Sequence, residues 1–187
     1  MEGKRLKSII ESLIFVSENP LQANSINGIL ENVDKMAIER CIDELVNEYQ
    51  QLDRSFHLVK VAEGFQFRTK PEYGPWIQKL KRSKATRLTK AAMETLAIIA
   101  YKQPVIRAEI EAIRGVDSGW VLRALLEKNL IRIMGRKAMP GRPIVYGTSK
   151  YFLEFFGLET ISSLPTLREI QELGEGEPEG ADSKEAV

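Results

Sequence analysis

Residues 118–148 read SGWVLRALLEKNLIRIMGRKAMPGRPIVYGT, and the order of signals in this stretch decides the fold. Ser118 suits a helix N-cap, because its hydroxyl can accept from a first-turn N–H that has no partner within the helix. Val121, Leu122, Leu125 and Leu126 follow at helical spacing and make one apolar stripe. Asn129 tolerates the left-handed conformation and ends the helix. Leu130-Ile131-Arg132-Ile133-Met134 then reads as a strand, Met139-Pro140-Gly141-Arg142-Pro143 as a turn, and Ile144-Val145-Tyr146-Gly147-Thr148 as the returning strand. A short helix followed at once by a long-tipped hairpin is the end of a winged helix-turn-helix unit.

Upstream, Thr89 caps a helix carrying Ala92, Met93, Leu96, Ile99 and Ala100, which Lys102-Gln103-Pro104 stops. The next helix runs from Val105 to Arg114 with Ile106, Ile110 and Ile113, and Gly115-Val116 ends it. The same order occurs earlier. A first helix from about Leu6 to Val16 is broken at Ser17-Glu18-Asn19-Pro20, and a short helix with Ile26, Ile29 and Leu30 follows. Asp34 is placed to cap a longer helix, to about Leu52, with Ile38, Ile42, Leu45, Tyr49 and Leu52 inward. Strands at Phe56–Val61 and Phe65–Arg68 meet at Glu63-Gly64, and Pro71 opens a connecting helix through Trp76, Ile77 and Leu80. The repeat lies in element order rather than residue identity. The expected fold is therefore mainly α with small β-hairpins (α+β), as two tandem winged helix-turn-helix domains. These would span residues 1–83 and 84–173, the second including an aromatic exit, Tyr151 to Leu158, that lies back on it as a helical turn. Leu164-Pro165 and Leu167–Ile170 read as one more turn, and residues 174–187, poor in apolar side chains, as a disordered acidic tail.

Composition narrows the function classes. The chain has 187 residues, 43% of them hydrophobic, which suffices for a core. No apolar run approaches the roughly 20 residues that span a bilayer, and the N-terminus leads into an amphipathic helix rather than a signal peptide. A single cysteine, Cys41, excludes an internal disulfide and a zinc cluster, so a cytoplasmic setting is expected. Net charge is +1, yet residues 84–150 hold 13 basic and 5 acidic residues, net +8, and residues 151–187 hold 2 and 9, net −7. The basic half invites phosphate or an acidic partner, and the tail can screen it.

Candidates for catalysis are few. The one histidine, His57, lies in a strand run, and Cys41, on a helix beside Ile42, has no second histidine to pair with. Gly135 and Gly141 lack the spacing and the Gly-Lys-Ser/Thr of a phosphate loop. The acidic residues lie on solvent faces and form no metal-binding set. No enzyme activity, cofactor or metal is expected. A DNA-reading helix needs Arg, Lys, Asn or Gln aimed at base edges. The third helix of the first unit instead offers Asp34, Glu39, Asp43, Glu44 and Glu48 against Lys35 and Arg40. That of the second offers outward Gly119, Arg123, Ala124, Glu127 and Lys128, of which Arg123 alone suits readout. Arg132, Lys137 and Arg142 (with Arg136) on the second wing are candidate phosphate contacts for weak, sequence-blind DNA binding, or simply solvate the hairpin.

Aromatic residues favour a protein partner. Tyr101, Trp120, Tyr146, Phe155 and Phe156, with Arg123 and Arg136, are the candidate partner-binding set, since aromatic side chains make good interface anchors. For Trp120, capping the core is an equal alternative. Ile10, Leu13, Phe15 and Val16 are candidates for self-association through the first helix.

These residues also carry a family resemblance. AAMETLAIIAY (91–101), Gln103-Pro104-Val105 and EIEAIRGV (109–116) are followed by Leu130-Ile131 and Gly135-Arg136. Pro140-Gly141-Arg142-Pro143, Tyr146-Gly147-Thr148, FLEFFGL (152–158) and Leu164-Pro165 complete the set. In this order they resemble the bacterial segregation and condensation protein B (ScpB) family. Glu11-Ser12-Leu13-Ile14-Phe15 and Gly64-Phe65-Gln66-Phe67 add a weaker match, so that the likeness extends to about Leu173. The resemblance implies tandem winged helices, a homodimer paired through the N-terminal domains, and no catalytic activity. It further implies binding to a kleisin subunit (ScpA-like), through it to an SMC ATPase, and a cytoplasmic, nucleoid-associated role in chromosome condensation. The rival reading from the fold alone is a winged-helix transcription regulator.

Overall fold

A computed structural model describes residues 3–81, 88–166, 168 and 169. The first unit is α1 (Gly3–Val16), α2 (Ala23–Ile29), α3 (Lys35–Gln51), β1 (Phe56–Val61) and β2 (Gly64–Thr69). A 3-10 turn at Pro71–Tyr73 leads into α4 (Gly74–Lys81). The second unit is α5 (Lys90–Lys102), β3 (Val105–Ile106), α6 (Arg107–Arg114), α7 (Gly119–Glu127), β4 (Ile131–Arg136) and β5 (Ile144–Thr148). It closes with α8 (Lys150–Phe156) and a 3-10 turn at Ile161–Ser163. The winged-helix order is thus present twice, mostly helical with two small antiparallel sheets.

Each unit has its own core, formed where the apolar stripes of its three helices converge on one face of its sheet. Leu6, Ile10, Ile14, Ile26, Ile38, Ile42, Leu45 and Leu58 close the first. Leu96, Ile99, Val105, Ile110, Val121, Leu122, Leu125, Leu130 and Ile131 close the second, with Phe152 and Leu153 of α8 packed in. The aromatic exit accordingly lies back on the second unit as a helix. Val61 and Ala62, from the hairpin of the first unit, are buried in this second core too.

The repeat extends to a detail that local patterns miss. After each proline stop a very short strand adds to the returning strand of the wing. In the first unit Leu21 and Phe65 exchange both backbone hydrogen bonds, at 2.9 and 3.0 Å. In the second, Val105 and Ile106 pair with Tyr146 and Val145, so the sheet order is β3-β5-β4. Val105–Ile106 is therefore strand, and the helix expected from Val105 starts at Arg107.

Other local expectations shift. The first hairpin turns at Ala62 and Glu63, both at positive φ (48° and 61°), and Gly64 opens β2. Asp34 sits at the N-cap of α3 without a side-chain cap bond. Thr89 does cap α5, its Oγ1 accepting from Ala92 N at 3.2 Å. Asn129 takes the positive φ expected of it, 55°, just past α7. Ile29, Leu52, Met93 and Ile113, placed on inward stripes from spacing alone, are exposed. The join between the units at 82–87, Leu167, Ile170 and the acidic tail lie outside the described residues.

Candidate functional site

Three surfaces of the second unit gather most of the candidate residues. The first is an apolar groove of about 290 Å³ between α5 and α8, lined by Met93, Ala97, Tyr101, Phe152, Phe156 and Leu158 among others. Helical spacing explains it: Leu96, Ile99 and Ala100 point into the core, so the next stripe of α5, Met93, Ala97 and Tyr101, faces outward. Tyr101 is held as a wall by its hydroxyl, which donates to Pro165 O at 2.7 Å. Across from it, Phe156 packs on Phe152 and Phe155 with ring centroids 4.9 and 5.0 Å apart. Phe155 and Phe156 remain exposed.

The second surface is the α6–α7 corner. Arg107 Nε donates to Glu111 Oε1 at 2.6 Å, and its Nη2 pairs with Asp117. Glu111 also accepts from Ser118 N at 2.8 Å, and Asp117 Oδ1 accepts from Gly119 N at 2.9 Å. The backbone hydrogen bond from Ser118 and the Arg107 guanidinium hold the Glu111 carboxyl below its ordinary value. Carboxylates therefore take the N–H groups of Ser118 and Gly119 at the entry to α7, and Ser118, though at the N-cap, makes no capping bond with its hydroxyl. The hydroxyl is buried and accepts from Arg114 Nη1 at 3.3 Å instead. This network fixes a corner on whose outside Ile113, Val116 and Trp120 are exposed, with Arg123 one turn on. Trp120 is 68% exposed, so it does not cap the core.

The third is the wing. Met134 forms a bulge between Ile133 and Gly135, and the strand beyond Ile131 is exposed. Arg132 Nε donates to Thr148 O at 3.2 Å and Arg136 Nη1 to Arg142 O at 3.1 Å, so both are oriented by carbonyls without being neutralised. Lys137 is ion-paired with Glu109 at 2.9 Å. Backbone donation from Ile106, then Lys137, lowers the Glu109 carboxyl. Among the described residues, Arg123, Arg132, Arg136 and Arg142 have no carboxylate within ion-pair distance.

A model of the family described as "Segregation and condensation complex subunit ScpB" matches residues 8–167. The chain belongs to the ScpB family. It is 49% identical over 173 residues to the segregation and condensation protein B of Syntrophotalea carbinolica, covering 92% of this chain and 87% of that protein. To that of Desulforamulus reducens it is 46% identical, covering 91% and 93%. The solved ScpB from Mycobacterium tuberculosis is 32% identical over 84% of this chain and 98% of its own, with a TM-score of 0.40. Membership rests on the sequence likeness along most of the chain.

Within this ScpB-family chain the candidate residues divide. Tyr101 and Phe156 line the groove, Phe155 packs on Phe156 without lining it, Trp120 and Arg123 share α7, and Arg136 stands on the wing; Trp120, Arg123 and Arg136 do not line the groove. Tyr146 is not a surface anchor. It is only 8% exposed, because it pairs with Val105 and Ile133 in the middle of the sheet. In the first unit Ile10 is fully buried at the centre of the α1 stripe and has no surface for self-association. Leu13, Phe15 and Val16 do; Leu13 and Val16 line a shallow concavity with Arg5, Ser8, Ile9 and Ser12, and Phe15 is 73% exposed. The sequence reading missed Ile9 there, and Met93 and Ala97 in the groove. The signal for the last two was an apolar band on α5 too wide for one buried face.

Chemistry-bearing groups are placed otherwise. Cys41 is buried, and burial pushes its thiol up, away from the thiolate a nucleophile requires. Among the described residues no group of three or more His, Cys, Asp or Glu could hold a metal ion. No helix there is long and apolar enough to cross a membrane.

Proposed function

We propose that this ScpB-family chain is a non-enzymatic subunit of a bacterial condensin, binding an extended segment of the kleisin subunit as a homodimer and reaching the SMC ATPase through it. The observation that carries this reading is the aromatic groove between α5 and α8, in a unit whose Arg123, Arg132, Arg136 and Arg142 have no carboxylate partner among the described residues. An amphipathic segment with apolar anchors and acidic flanks complements both. Aromatic anchors in such pockets each contribute on the order of 2 kcal/mol when truncated. In the alternative, DNA would be read by α3 or α7, and those helices supply too few donors for base edges. Self-association is assigned to Ile9, Leu13, Phe15 and Val16 of α1, and Arg132, Arg136 and Arg142 supply salt-sensitive contacts to an acidic partner or weakly to DNA. Residues 1–83 would serve the dimer and 84–173 the partner.

The test is co-purification of the full chain with a kleisin middle segment, followed by titration of Tyr101→Ala and Phe156→Ala. Binding lost in both variants, with the dimer intact, supports the reading. Wild-type affinity in both refutes the site. A defined operator recovered by selection from random duplexes would install the transcription-regulator reading instead.

A further inference from the structure

The turn of the first wing is built at a conformational disadvantage. Two consecutive residues with positive φ suit Asn-Gly, yet this turn carries Ala62 and Glu63. Residues with a β-carbon persist there only when their surroundings over-determine the backbone. The surroundings belong to the second unit. Ala62 N donates to Leu158 O and Glu63 N donates to Glu159 O, both at 2.9 Å. Those carbonyls follow the left-handed Gly157 that ends α8, where the chain leaves its helix and has backbone acceptors free. Around this pair, Lys60 Nζ lies 2.5 Å from Glu159 Oε1, and Arg68 Nη2 donates to Glu154 O at 2.9 Å. Gly64, directly behind the turn, sits so close to the Pro20 backbone that a β-carbon would approach it at 2.8 Å. The turn is thus backed closely by its own unit and received by the other, with Val61 and Ala62 buried in the second core.

We infer that the first wing is an intramolecular latch: its turn docks on Leu158 and Glu159, holds the two units as one body, and opens as a unit. The ion pair at its rim is half-exposed (51% and 44%), so solvent screens it and it holds the joint closed only weakly. Leu158 also lines the apolar groove, so the latch fixes one wall of the candidate partner site. The latch itself does not depend on the partner.

The experiment uses the full chain without partner, spin-labelled at Glu39→Cys on α3 and Lys128→Cys beside α7; both positions are exposed, and native Cys41 is buried. Pulsed dipolar spectroscopy on labelled chain diluted into unlabelled chain reads the intramolecular distance. Wild type gives one narrow population, and Lys60→Glu with Arg68→Ala broadens it at least twofold. The charge-swapped pair, Lys60→Glu with Glu159→Lys, keeps the narrow population and shows that reversal at 60 does not unfold the hairpin. A broad wild-type distribution overturns the latch, and so does one that stays narrow in the double variant. Failure of kleisin binding leaves all of these outcomes standing.

Discussion

The two winged-helix units share the order of three helices and a hairpin, with a bridge (Leu21) or short strand (β3) after each proline, yet they spend their surfaces differently. The third helix of the first unit, α3, is 17 residues long, and its acidic face is tied to α1, where Lys7 meets Glu48 at 2.5 Å and Glu44 at 3.7 Å. Its counterpart α7 has 9 residues and exposes Trp120 and Arg123. The first wing has a two-residue turn committed to the second unit, whereas the second wing runs through residues 137–143, and Arg136 and Arg142 there have no carboxylate partner among the described residues. Residues 1–83 hold 12 basic and 12 acidic side chains, net zero, against the +8 of residues 84–150. One scaffold thus yields an inward-facing copy and an outward-facing one by changes in helix length, wing length and charge, with the core left alike.

That likeness of cores is the part of the comparison most open to a large effect. Leu45 on α3 and Leu125 on α7 are both fully buried. Leu45→Ala and Leu125→Ala should each cost about 3 kcal/mol of unfolding free energy, as a deleted core isobutyl leaves a cavity. Chemical denaturation checks this. A variant costing under 1 kcal/mol would show that one unit is packed more loosely and break the equivalence.

The next effect sharpens the division of labour. In the Tyr101→Ala, Phe156→Ala double variant, kleisin-segment affinity should fall at least 100-fold, at about 2 kcal/mol or less per lost anchor with partial overlap. Dimerisation should be unchanged. Phe15→Glu should do the reverse, weakening the dimer about tenfold or more while a monomer still binds the segment. Calorimetry for the first and sedimentation for the second separate the units. If either variant moves both readouts together, the surfaces are not divided as proposed.

How far such a division can be read from sequence depends on range. The helices, both hairpins and the proline stops follow from spacing within ten or twenty residues, and the charge asymmetry follows from counting. Tyr146 was open to a correct reading: alternation along Ile144–Thr148 places it on the same face as Ile144, toward the core. Ser118 was not, because its hydroxyl accepts from Arg114 while Glu111 takes the N–H of Ser118 itself and Asp117 that of Gly119, partners brought there by the turn between α6 and α7. The pairing of Val105 with Tyr146 spans 41 residues, and the contact of Ala62 with Leu158 spans 96. Nothing local announces either; only the odd choice of Ala-Glu at a turn that favours Asn-Gly hints at the second.

The smallest expected effect distinguishes the units by pH. In the second unit Glu109 and Glu111 are held below the ordinary 4.5, each first by a backbone N–H and then by a cation. A carboxyl lowered in the folded state contributes stability that is complete above its unfolded pKa and is lost as pH falls through the folded value. That contribution therefore disappears below about pH 4.5. In the first unit Tyr49 is pushed up to about 12, chiefly by burial and then by its hydrogen bond to Glu11. A raised pKa reverses the sign: the stabilisation is complete below pH 10 and is lost between 10 and 12. Asp53 of the first unit is also lowered, by Lys70, but its side chain is 97% exposed and solvent screens the pair. Hydrogen exchange should thus find the α6–α7 corner opening first in acid and the α1–α3 packing first in alkali. Glu111→Gln should flatten the acid limb at amides 117–119, and Tyr49→Phe the alkaline limb. A molecule that loosens uniformly at both extremes would mean that the joint between the units, rather than their separate networks, governs opening.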